Sequence, residues 1–88
     1  MRNAEQWKAF DLADWALDLL FAHYTRLIYL ERQKPAPDTA QIAQWQQEQR
    51  TLHDESDALR IEDQANSERV LNTYGPLARA LNQPANPA

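Results

Sequence analysis

The run from Trp15 to Leu30, WALDLLFAHYTRLIYL, is the one long apolar stretch in the chain, and any fold must find cover for it. Wound as a helix at about 100° per residue, residues 4–34 put Asp11, Asp14, Asp18, Thr25 and Arg26 on one side. Trp7, Trp15 and Tyr29 lie among or beside them. The remaining arc carries Leu12, Ala16, Leu19, Leu20, Leu27 and Leu30, then Tyr24, Leu17, Phe10, Ile28 and Phe21. That arc spans roughly 200°, whereas a helix lying against one neighbour needs a stripe of only about 100°. Two neighbours are required.

A bilayer is not one of them. The run is about 16 residues against the ~20 needed to span, and it contains Asp18, His23 and Arg26. Glu5, Asp11 and Asp14 occupy the place of a basic leader region. The polar face is acid-rich, unlike the Lys/Arg-rich face of a helix lying on a membrane. No membrane contact is expected.

At 88 residues the chain makes one domain at most, and a core of that size is marginal by itself. It has no cysteine, so neither disulfides nor thiolate-bound metal can reinforce it. The lack of cysteine fits a reducing, cytoplasmic setting. A net charge of −4, with Lys and Arg scattered among acids, argues against direct nucleic-acid binding. One glycine and an abundance of Ala, Leu, Gln, Glu and Arg make the fold class all-α.

Local signals place the elements. Asn3 with Gln6 reads as an N-cap, so helix 1 is expected over about 4–34, ending before Pro35-Ala36-Pro37. Asp38 with Gln41 caps helix 2, which nothing interrupts before Tyr74. Gly75-Pro76 is then a stop, followed by a short helix over about 76–82 and a disordered tail over 83–88. Residues 1–82 are thus expected to form a single helical-hairpin domain, an antiparallel two-helix hairpin.

Helix 2 has a narrow seam of Ile42, Trp45, Leu52, Leu59 and Val70 at heptad spacing, with Gln49, Ser56, Asp63 and Asn66 at its polar positions. Folding about Ala36 pairs Leu30 with Ile42, Leu27 with Trp45, Leu20 with Leu52 and Ala13 with Leu59. His23 and Tyr24 then meet Gln49 in a polar layer. One narrow seam covers one side of helix 1, and a second copy is the simplest cover for the other. The expected assembly is a homodimer, a four-helix bundle, self-associating through Leu12, Trp15, Leu19, Phe21, His23 and Ile28.

Chemistry-bearing patterns are thin. His53 and Asp57 are i,i+4 neighbours that can share a divalent ion, but two ligands fall short of the four of a structural zinc site. Ser56 and Ser67 are in no nucleophile elbow, and one glycine cannot build a phosphate loop. No enzyme activity, metal or cofactor is expected. Asp54, Glu55, Asp57 and Glu62 belong to the densest acidic cluster, offering a surface to a partner protein. The reading that follows is a non-enzymatic module that self-associates and binds another protein. The alternative is an acidic inhibitor or antitoxin-like protein that mimics nucleic acid and blocks a nucleic-acid-binding partner.

Overall fold

A computed structural model describes residues 4–82, which form three helices and no strand. These are α1 (Ala4–Arg32), α2 (Thr39–Ala58) and α3 (Gln64–Asn82). The cap expected at Asn3 and the tail expected over 83–88 lie outside the described residues. With 29 residues, α1 is about 44 Å long at 1.5 Å per residue. It is the hub, because α2 and α3 each pack on it far more than on one another. No helix among the described residues is long and apolar enough to cross a membrane.

The bend between α1 and α2 follows its local signals. α1 ends at Arg32, just ahead of Pro35. Asp38 caps α2 with extended backbone, its carboxylate accepting from the Gln41 N–H at 3.0 Å. Glu31, in the last turn of α1, closes the bend from the other side. Its carboxylate accepts the Asp38 N–H at 3.0 Å and the Lys34 ammonium at 2.9 Å. The Asp38 amide, and after it Lys34, hold the Glu31 carboxyl below the usual glutamate range. Those two donors explain how a charged residue can be buried there.

Helix 2 departs from expectation. The single rod foreseen over 38–74 is two helices, broken at residues 59–63. Leu59 takes extended dihedrals (φ −65°, ψ 134°) and its N–H reaches the Ser56 carbonyl at 3.2 Å. Arg60 donates to the Asp57 and Leu59 carbonyls, each at 2.7 Å, satisfying acceptors that the helix end leaves open. Asp63 is a cap and not a seam residue: its carboxylate accepts from the Asn66 N–H at 3.0 Å. The physical reason for the break lies in α1. A continuous rod presents its seam to one side of the hub, whereas a broken one can cover two.

After the break α3 runs alongside α1 in the same direction, its Gln64, Glu68 and Leu71 lining one hollow with Glu5, Lys8, Ala9 and Leu12. Gly75-Pro76 does not end a helix. α3 passes through both, so the separate helix foreseen over 76–82 is its last turns. Gly75 has no positive φ, so it lacks the left-handed geometry of a C-terminal glycine cap. Pro76 is exposed, and the Asn72 carbonyl that loses its donor is on an exposed residue too. Val70 and Ala78, both 0% exposed, anchor the helix on either side of the pair.

The core is a thin band along the hub. Ala13, Ala16, Leu17 and Leu20 of α1 meet Leu52 and Leu59 on one side and Val70 and Ala78 of α3 on the other. The second neighbour that α1 needs is therefore α3 of the same chain, and the two-helix hairpin is corrected to three helices. The Cα atoms span 55 × 36 × 15 Å with a radius of gyration of 15.5 Å. A compact chain of this length would have about 12 Å. The molecule is a layer, and a layer leaves broad faces open.

Candidate functional site

Beyond the arc that α2 and α3 cover, α1 keeps a third side. Leu12 (38% exposed), Tyr29 (62%) and Leu30 (47%) stand on it. Half-buried Trp15 and Leu19 and exposed Ala22 and Arg26 share that side by helical geometry. Positions 12, 15, 19, 22, 26 and 29 alternate in steps of three and four, the spacing of a coiled-coil seam. Trp15, Leu19 and Ala22 line a shallow depression of about 570 Å³ with Asp11, Asp14 and Asp18. Burial, then Asp18, then Asp11, pushes the Asp14 carboxyl above the usual aspartate range. None of these three acids makes an ion pair among the described residues.

The six residues assigned to self-association divide. Leu12, Trp15 and Leu19 lie toward the open side, Leu12 at the rim of the hollow shared with α3, and half-buried Trp15 and Leu19 packed in part against the core. Ile28 is only 6% exposed and belongs to the core, which removes it from any outer surface. Phe21 is exposed, but it lies across the helix, over the seam between α1 and α2. His23 is half-buried, its ring centroid 5.6 Å from that of Tyr24 with the planes at 59°. The polar layer foreseen at Gln49 exists with other partners. Gln49 Nε2 donates to the Phe21 carbonyl at 3.2 Å and to Thr25 Oγ1 at 2.7 Å. Counting apolar residues around a wheel shows how much of α1 is greasy, but not where its neighbours sit.

The seam between α1 and α2 opens on one face into adjoining hollows of about 220, 390 and 300 Å³. Leu17, Phe21, Ile28 and Leu52 are apolar members of their lining, and Gln46, Gln49, Arg50 and His53 are polar ones. His53 Nε2 is 3.3 Å from Asp57 Oδ2, both side chains exposed. Among the described residues no group of three or more His, Asp or Glu could hold a metal ion.

Only two of the four acids share a face. Asp54 and Asp57, three residues apart, stand as exposed neighbours on α2, whereas Glu55 leaves the helix in another direction and Glu62 lies in the 59–63 turn. Glu55 is half-buried and accepts from Arg69 Nη2 at 2.8 Å, tying α2 to α3. The same carboxylate, after burial, raises the Tyr74 hydroxyl above its ordinary value. Sequence reasoning missed Glu31, the Gln49–Thr25 bond and the Glu55–Arg69 pair. The last two join residues 24 and 14 positions apart, beyond any local spacing rule. Comparison with protein families, curated proteins and solved structures finds no match to this chain.

Proposed function

We propose that this chain is a non-enzymatic, cytoplasmic interaction module that self-associates through the open side of α1 and so presents itself to a partner protein as an oligomer. One observation carries the reading: the hub helix, already flanked by two others, still displays a partly exposed stripe at heptad spacing, Leu12-Trp15-Leu19-Ala22-Arg26-Tyr29. The stripe is apolar but for Arg26, with Trp15 and Leu19 packed against the core from outside. A seam of that kind in water is stabilised by pairing with another helix. The thin core supports the same reading, since a layer with broad open faces buries more apolar surface on association. The absence of cysteine supports the cytoplasmic setting. The nucleic-acid-mimic alternative is the weaker reading, because Glu55 is turned inward to Arg69 and only Asp54 and Asp57 of the four acids share an exposed face of α2.

Sedimentation or light scattering across a concentration series tests the reading. Twice the 10.2 kDa chain mass is expected at high micromolar concentration. Leu12→Glu with Leu19→Glu should return the monomer mass with helix content retained. A wild-type chain that stays at 10.2 kDa throughout would defeat the proposal.

A further inference from the structure

We infer that the partner of the open seam is α1 of a second copy, lying antiparallel about a two-fold axis that passes between residues 20 and 21. The inference rests on the self-association reading and specifies its geometry. The open side of α1 is electrically divided along its length. Its N-terminal half carries Asp11, Asp14 and Asp18 with a single cation, Lys8, and its C-terminal half carries Arg26 and no acid, with Arg32 at the rim toward α2. None of the six makes an ion pair among the described residues. A parallel, in-register partner would set each acid beside its own mate and stack Arg26 on Arg26, since Arg26 is itself a seam position. Like charges facing across an interface weaken it. Reversing one helix places the acidic half of each copy against the basic half of the other.

The heptad spacing then fixes which residues meet. In an antiparallel pair each first-type seam position forms a layer with a fourth-type position of the partner. Leu12 shares a layer with Tyr29 of the second copy, Trp15 with Arg26, and Leu19 with Ala22. Tyr29, at 62% exposure, gains an aliphatic neighbour. Arg26 gains the face of an indole, a favourable cation–aromatic contact. Ala22, small and exposed, sits beside the axis and lets the two backbones approach. Flanking the seam, Asp11 of each copy lies beside Arg32 of the other.

A charge swap tests the geometry. Asp11→Arg or Arg32→Asp alone should weaken dimerisation on the order of tenfold, since each change places two like-charge pairs in the assembly. The double variant Asp11→Arg/Arg32→Asp should restore it to within about threefold. Loss in both singles with no recovery in the double overturns the antiparallel register while leaving self-association standing. Singles that dimerise as the wild type does would also overturn it. Cross-linking supplies a second measurement that does not depend on affinity, because the chain has no cysteine of its own. Asp11→Cys and Arg32→Cys chains, mixed and treated with a short bis-maleimide, should form the mixed 11–32 product in preference to either self-product. Dominant 11–11 and 32–32 products would overturn the register, whereas a wild-type chain that is monomeric in the sedimentation series defeats the underlying reading itself.

Discussion

The two seams along α1 are built on opposite plans. Toward α2 the buried side chains are large, with Leu17 and Ile28 on one side and Ile42, Leu52 and Leu59 on the other. Toward α3 they are small: Ala9 and Ala16 on α1 face a helix whose buried residues are Ser67, Val70, Gly75 and Ala78. α3 has 19 residues and α2 has 20, yet more of the α3 backbone lies close to α1. Small residues allow that approach, since the distance between helix axes follows from the side chains at the contact. A leucine seam gains from apolar area removed from water, and an alanine seam from many close atomic contacts. The hub can satisfy both because its arc places leucines on one flank and alanines on the other.

If the contrast is right, the two seams should fail in opposite ways. Leu52→Ala, at a site 4% exposed, should cost about 2–5 kcal/mol in urea denaturation, because truncation leaves a cavity. Ala16→Leu, at a site 0% exposed, should cost about 1–3 kcal/mol by forcing α3 away. A neutral Ala16→Leu would break the comparison, for it would mean that close approach is not what the α3 seam depends on. Gln49→Ala should cost about 0.5–1.5 kcal/mol, and it tests whether the α2 seam also needs its hydrogen bonds to Thr25 and Phe21.

The smallest effect is expected on the side that neither seam covers. Asp14→Asn, measured in dilute solution at neutral pH, should stabilise the chain by roughly 0.5 kcal/mol, because Asp11 and Asp18 stand three and four residues away as like charges. The sign of the pH dependence follows from the raised Asp14 carboxyl. Its stabilising, protonated form is fully present below the ordinary aspartate value and is lost as pH rises through the raised one. The advantage of the variant should therefore shrink as the pH falls through the raised value and be gone below the ordinary aspartate value of 3.8. An Asp14→Asn variant less stable than wild type at neutral pH would show that the open side holds a charge partner for Asp14.

The helical class, the end of α1 ahead of Pro35, the Asp38 cap and the pairing of α2 against α1 were legible because each rests on neighbours within a turn or on a repeat along one helix. The register shows this well. Folding about Ala36 brings Gln49 level with residue 23, and Gln49 in fact reaches Phe21 and Thr25. The break at 59–63 was missed because Asp63 fits a seam pattern as well as a cap, and Arg60 gives no sign that it will bind the carbonyls behind it. Gly75-Pro76 was misread for a related reason. That pair stops an isolated helix, but Val70 and Ala78 hold this one to the hub on either side.

By itself the sequence determined that α1 would be long, apolar over two flanks and in need of two neighbours, since helical periodicity turns composition into a surface. Only the tertiary structure decided that the second neighbour is α3 of the same chain, because the energy of crossing from one flank to the other depends on contacts far apart in sequence. That decision took Ile28 into the core, set Phe21 over the hairpin seam and left Leu12 and Tyr29 exposed on the third side of α1, with half-buried Trp15 and Leu19 between them.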